Sequence, residues 1–356
     1  MNTANTSLRQ VCYKPALAWF AALGSVWVFV LLMLGAFTTT IGAGMVFADW
    51  PLSNGSLNPH GWLTNVAMFA EHSHRLSGGT MGLITVGLAI WLTLVESRPW
   101  VRKLGWWAVV IVIVQGLIGG QRVKLDAWHF PGIEMSVGQL LRIPHGILAQ
   151  VFVMILFAIA AALSRSWIEA PPATFSLSRR TRRLGVGSTG LVLVQLVIAA
   201  TMRHSNAGLA IPTFPLTPEG AWIPTVWNFG VAIHFAHRGM AVVLGLALLS
   251  FAISIWTERG VSALLRNTAA LMVATLLIQI SLGATVIWTL RDAYFTTAHV
   301  IVGACTLATT FLLTWFAYRN LLQGLADPAG LLLTRSGNRV PPDVDLTRPE
   351  SSPART

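Results

Sequence analysis

Nine histidines occur in 356 residues, and four of them, His74, His145, His237 and His299, each stand near the start of a long apolar run. Two imidazoles on facing helices can take the two axial positions of a haem iron, one on either face of the porphyrin. A pair in each half of the chain therefore predicts two bis-histidine haem sites. An interhelical hydrogen bond explains any single intramembrane histidine as well, but it does not require four in repeated register. Zinc and di-iron sites compete less well. The di-iron carboxylate proteins need Glu-x-x-His on two helices and further glutamates on two more, whereas Glu71 is the only acid inside the apolar runs.

The segment Glu71-His72-Ser73-His74-Arg75-Leu76-Ser77-Gly78-Gly79 concentrates the most unusual chemistry. Glu71 and His74 are three apart and share a helix face, while His72 points elsewhere. A carboxyl at a membrane interface is costly unless paired or useful, which makes Glu71 the catalytic candidate. The plain alternative is a glutamate bonded to a helix N-terminus or an arginine. Arg75 and Arg238 suit haem propionates, since guanidinium forks bind carboxylates bidentately, although snorkelling to the interface accounts for them equally. Gly78, Gly79, Gly119, Gly120 and Gly283 read as close-packing positions.

The composition fixes the elements that must position these groups. Apolar residues make up 54% and charged residues 10%, with mean hydropathy +0.65, against about 25% charged in soluble domains. The chain reads as an all-α integral membrane protein. Eight stretches reach the roughly 20 apolar residues of a spanning helix: 16–38, 68–95, 104–121, 144–164, 184–202, 229–256, 265–289 and 294–318. The first is too long for a signal-peptide core and lacks a small-residue cleavage site, so it is read as retained.

The net charge of +11 is a matter of topology, not of nucleic-acid binding. Seventeen Lys and Arg fall in the N-terminus, the loops 96–103, 165–183 and 257–266, and the tail, against five in the alternate loops. Short cytoplasmic loops are enriched in these residues. Both termini are therefore expected in the cytoplasm, and the four histidines share one depth in the outer leaflet. Cys12 and Cys305 lie too far apart to suggest a disulfide framework. The tail, rich in Pro, Asp, Arg and Ser, is expected to be disordered.

The halves repeat at an offset near 164 residues. Ala43-Gly44 and Pro51-Leu52 fall on Ala207-Gly208 and Pro215-Leu216, and Gln115 and Gly119 on Gln279 and Gly283. His74-Arg75 falls on His237-Arg238 at 163, and His145 pairs with His299 after a longer third loop in the first half. Glu71 has His234 as its mate. Two repeated four-helix bundles of like orientation follow, related by an axis along the membrane normal. The expected division is a cytoplasmic N-terminus (1–15), an N-terminal four-helix half (16–164), a basic linker (165–183), a C-terminal four-helix half (184–318) and the tail (319–356).

The EHSHRLSGG opening the second span, the AHRG in the repeat, His145, His299 and the loop ADWPLSNG at 48–55 together resemble the haem A synthase family over roughly residues 16–318. The resemblance implies oxidation of the C8 methyl of haem O to the formyl group of haem A, for cytochrome oxidase. It implies haem b held by His237 and His299, haem O flanked by His74 and His145, and Glu71 near the reacting site. It also implies contacts with the haem O-forming farnesyltransferase and with oxidase assembly factors, and is compatible with a homo-oligomer. Many bacterial members carry a cysteine pair in the first outer loop. Here those places are Phe47 and Ser53, so a disulfide role for the loop does not apply. The short N-terminus without a transit peptide is the form expected of a bacterial inner-membrane protein. A di-haem electron-transfer cytochrome b and a haem carrier are the rival readings. The first does not explain why Glu71 in one half faces His234 in the other, and the second predicts exchangeable haem and no altered product.

Overall fold

The computed structural model describes residues 11–132 and 134–324, and among them the regular structure is helical apart from two isolated bridges. Eight helices are long and apolar enough to cross a membrane: α1 Pro15–Thr40, α2 Val66–Val95, α3 Pro99–Lys124, α4 Val137–Leu163, α5 Arg179–His204, α6 Phe229–Thr257, α7 Ala263–Trp288 and α8 Ala293–Ala317. The chain is a multi-pass, all-α membrane protein. Every backbone polar group in hydrocarbon must be satisfied within its own segment, which is why the spans are helical.

Most of the helices start ahead of the apolar stretches that announce them, and caps build the added first turns of α4 and α5. α4 begins at Val137, seven residues before the hydropathy boundary. Ser136 accepts from the Gln139 N–H while the Gln139 side chain accepts from the Ser136 N–H, a capping box. Pro144 then sits inside the helix without ending it. α5 likewise starts at Arg179, five residues early, behind the cap Ser178, and α3 starts on Pro99, where the missing N–H costs nothing.

Packing is sequential. Helices α1, α2, α3 and α4 contact one another in order and α4 returns to α1; α5 to α8 do the same, with α8 returning to α5. Contacts of α1 with α8, α4 with α5 and α4 with α8 join the two sets. The apolar windows of α4 and α8 are 50% and 56% buried, against 22–28% in the other six, so these two helices form the centre. They are also the helices that carry His145 and His299. Small residues allow close approach: a Cβ on Gly185 of α5 would lie 2.8 Å from both Phe251 of α6 and Thr314 of α8.

At the face where α2 ends and α3 begins, aromatic and charged groups lock the two sets together. Trp100, Trp167 and Trp315 cluster with ring centres 6.0–6.4 Å apart. Arg98 is buried, paired with Glu96 at 2.8 Å and bonded to Ala162 O. The 165–183 segment is structured, with a helical turn at Arg165–Ile168, a 3₁₀ turn at Pro172–Phe175, and Trp167, Phe175 and Leu177 buried. Arg319–Gly324 is a short helix in which buried Arg319 donates to Trp167 O and Ala170 O. The rest of the tail, from 325, lies outside the described residues, as do residues 1–10.

Candidate functional site

His74, His145 and His237 are each the ninth residue of their helix and His299 is the seventh, which places them roughly 9–12 Å along the axis from the helix start. Successive spans alternate in direction, so all four lie toward the face that carries the loops 41–65 and 205–228.

Those two loops are pinned by repeat-related contacts. Arg75 donates to Phe47 O (2.9 Å), Asp49 O (2.7 Å) and Leu52 O (2.6 Å). Arg238 donates to Ile211 O (3.0 Å), Thr213 O (2.6 Å) and Pro215 O (3.4 Å). Each guanidinium also lies over a loop aromatic, Phe47 in one case and Phe214 in the other, at 5.5 Å. The forks expected to hold propionates are thus turned onto the chain's own carbonyls.

Glu71 is 2% exposed and both its oxygens are engaged: Oε1 accepts from Arg75 at 2.6 Å and Oε2 from the Phe47 N–H at 3.0 Å. Its mate His234 accepts the N–H of Ile211, the mate of Phe47, at 3.2 Å. A carboxylate and an imidazole do the same anchoring work, so their difference by itself does not separate a substrate site from a cofactor site.

His72 was read as pointing away from the site, and it holds the loop: Nδ1 faces Ser53 Oγ at 2.9 Å, Nε2 faces Leu57 O at 3.2 Å, and Trp62 lies edge-on at 4.8 Å. Phe47 and Ser53 are both buried. The loop is closed by an arginine–aromatic stack and a hydroxyl–imidazole bond.

The loop's own turn depends on Asp49, whose carboxylate accepts from Asn54 N (2.8 Å) and Gly55 N (2.7 Å). Burial alone would raise its pKa, but those two N–H groups and the nearby Arg75 charge hold it below the ordinary aspartate value. A depressed folded-state pKa stabilises the loop at pH above about 4, and that contribution disappears as pH falls through the lower folded value. Proteolysis of the 41–65 loop is expected to accelerate below pH 4, and Asp49→Asn to be accelerated already at neutral pH. An unchanged cleavage rate in the variant would remove Asp49 from the turn.

The histidine pairs fit an iron porphyrin in their donor chemistry. The His237 and His299 rings have centres 6.5 Å apart with planes turned by 67°. Two metal–imidazole bonds of about 2 Å, with the rings' own half-widths added, need a separation of roughly 6 Å. His145 and His299 each keep a buried Nδ1 without a hydrogen-bond partner. Room for the rings comes from glycines: a Cβ at Gly119 would lie 3.0 Å from His145 Cε1 and one at Gly283 3.1 Å from His299 Cε1. Among the described residues no three His, Cys, Asp or Glu side chains gather as a metal cluster.

Three glutamines escaped the sequence reading of the site. Gln195 contacts His237, Gln279 contacts His299, and Gln115 donates to His145 O at 2.7 Å. Gln115 and Gln279 had marked the repeat, and amides inside apolar helices are themselves a signal of interhelical bonding. Arg203 of α5 also went unassigned; it donates to Ala36 O and Thr40 Oγ1 of α1, tying the two sets together near the same face.

Comparison with known proteins places these features. Residues 18–311 match the family model described as COX15-CtaA, cytochrome oxidase assembly protein. A "Heme A synthase" of Geobacillus kaustophilus (strain HTA426) is 26% identical over 317 residues, 86% of this chain and 93% of the relative. One from Halalkalibacterium halodurans is 28% identical over 307 residues, covering 85% and 97%. One from Shewanella oneidensis is 22% identical over 308 residues, covering 75% and 86%.

Proposed function

The chain belongs to the COX15-CtaA family of cytochrome oxidase assembly proteins, and from that membership we propose that it is a membrane oxidoreductase converting haem O to haem A. The observation that carries the reading is the His237–His299 pair, with ring centres 6.5 Å apart, together with the repeat that puts His74 and His145 at the equivalent places.

Helices α1–α4 and α5–α8 form two repeated four-helix bundles, supported by their separate closed chains of contacts. The C-terminal bundle holds haem b between His237 and His299, and the N-terminal bundle receives haem O between His74 and His145. Bound haem b supplies one-electron redox chemistry close to the substrate. The haem sites face the periplasm and both termini the cytoplasm of a bacterial inner membrane, supported by the bias of Lys and Arg toward the opposite face.

The reaction is two successive two-electron oxidations of the C8 methyl, first to an alcohol and then to a geminal diol that loses water to leave the aldehyde; in the formal balance each oxidation takes one oxygen from water and gives two protons and two electrons to an external acceptor. The chain's part is to hold the substrate in a water-poor bundle under a pinned loop and to manage protons. Glu71 is the proton acceptor or the group that orients the hydroxylated carbon. Arg75 and Arg238 hold the loops, and their Nε–H groups, which make none of those bonds, would be the donors to the propionates. The haem O-forming farnesyltransferase and oxidase assembly factors are the proposed partners.

The test is to express the chain in cells that make haem O, purify it, and identify the extracted haems by chromatography with mass spectrometry. Haem A or its hydroxylated precursor beside haem b is the expected result. Unmodified haem alone, reducible by a quinol, would point to an electron-transfer cytochrome.

A further inference from the structure

The two histidine pairs differ in what holds their rings. In the C-terminal half each imidazole meets a side-chain amide. Gln195 Nε2 on α5 lies 3.0 Å from His237 Nδ1 and also donates to His237 O at 3.0 Å. Gln279 Nε2 on α7 lies 3.3 Å from His299 Nε2. In the N-terminal half neither ring does. The repeat mate of Gln195 is Leu31, and His74 Nδ1 faces only the Leu31 backbone carbonyl, at 3.2 Å. The mate of Gln279 is Gln115, whose amide is spent on the backbone carbonyl of His145, leaving the buried His145 Nδ1 with no partner.

The second nitrogen's partner fixes an imidazole's rotation and tautomer and sets its basicity as a ligand; removing such partners lowers metal affinity by about 10–100-fold. The torsion that turns a histidine ring is broad, so a ring without a partner is held by packing alone. In an apolar interior an amide–imidazole bond is stronger than in water. The Oε1 atoms of Gln195 and Gln279 are buried and make no hydrogen bond. Turning the Gln279 amide end for end would offer its unbonded Oε1 to the His299 Nε2–H, whereas Gln195 holds His237 through the Nε2 bond to its carbonyl, which such a turn would break.

We propose that Gln195 and Gln279 are positioning residues that make the C-terminal haem site retentive, and that the absence of such amides at His74 and His145 makes the N-terminal site exchangeable. This deepens the assignment of the two haems above and rests on it. A site whose haem is substrate must release product, whereas a resident electron carrier must stay. The same fold achieves both by exchanging Leu31 for Gln195 and by redirecting one glutamine from ring to backbone.

The experiment uses the full chain purified with its haems. Haem loss is followed by transfer to excess apomyoglobin, and the low-spin spectrum and midpoint potential of the resident haem are recorded in the same samples. Gln195→Leu with Gln279→Leu is expected to speed loss of the resident haem about 10–100-fold and to shift its potential, while the remaining haem stays low-spin. Leucine already occupies the equivalent place at Leu31, so the Gln195→Leu chain has a packing precedent. In the opposite direction, Leu31→Gln is expected to slow haem release from the N-terminal site and raise the haem A that copurifies.

Loss rates and potentials equal to wild type in the double variant, or an unaltered N-terminal release rate in Leu31→Gln, overturn the proposal while leaving the haem ligands in place. Failure of the ligand assignment has a different signature: His237→Ala would keep a low-spin resident haem with wild-type retention, and the proposal would fall with it.

Discussion

His299→Ala and His237→Ala are each expected to empty the resident haem site, lowering haem b from one per chain toward none, while His74→Ala and His145→Ala leave it filled. The argument begins with position. His299 sits on α8, one of the two central helices, where its ring is packed against Gly283 and its Nδ1 is buried without a partner. His237 faces it across 6.5 Å, so either variant leaves iron with a single protein ligand and a gap where the other ring stood. Haem that binds only the folded chain stabilises it by about 4 kcal/mol when present at a thousandfold excess over Kd. Thermal unfolding of the two variants should therefore fall with haem content, and adding haem should not rescue them. Haem content by pyridine haemochrome, measured with the unfolding curves, decides the matter. A His299→Ala chain with one haem b per chain would move the resident site elsewhere.

The same four histidines show what a sequence makes legible here. Their residue type, their place near the start of alternate spans and their offset of 163 or 154 residues are all one-dimensional facts. The eight spans were legible for the same reason, since hydropathy over about 20 residues is local. Their ends were not: α4 opens on Val-Gly-Gln-Leu with Arg142 close behind, α5 opens on a run of arginines, and the two starts are held by Ser136 with Gln139 and by Ser178. Propensity and capping extend a helix into the interface where hydropathy has already fallen. The repeat arithmetic even paired Phe47 with Ile211 and Glu71 with His234. It could not show that each pair is one hydrogen bond between a loop N–H and a helix side chain. Likewise Gln195 and Leu31 are repeat mates by subtraction, but that one touches its histidine by side chain and the other by backbone depends on how α1 and α5 rotate against their neighbours. At Arg75 and Arg238 the residue type alone leaves two jobs open. A guanidinium near a haem pocket suggests propionates, and the same charge serves three loop carbonyls at least as well.

Glu71→Gln is expected to lower haem A formation by about 10²–10⁴-fold, the range that a positioned acid or base contributes, with both haems still bound. The variant alone is ambiguous, because Glu71 has two jobs in this structure. Its carboxylate is ion-paired with Arg75 and accepts the Phe47 N–H, so weakening it also loosens the loop. Removing it altogether, as in Glu71→Ala, leaves a buried guanidinium without its counter-charge, and breaking such a pair costs about 3–5 kcal/mol. The repeat supplies the variant that separates the two jobs. In the C-terminal half, His234 does the anchoring through Nδ1 while Arg238 clamps the loop with no carboxylate beside it. Glu71→His therefore copies a working anchor into the N-terminal half and removes only the carboxylate. If Glu71 handles protons at the substrate methyl, Glu71→His keeps the loop as protease-resistant as wild type and still makes little haem A, and partly oxidised haem builds up. Recovery of haem A in Glu71→His, together with recovery of loop protection, would assign Glu71 to the loop and leave the proton to another group. The haem products and the proteolysis of the 41–65 loop, measured on the same three variants, give the two readouts.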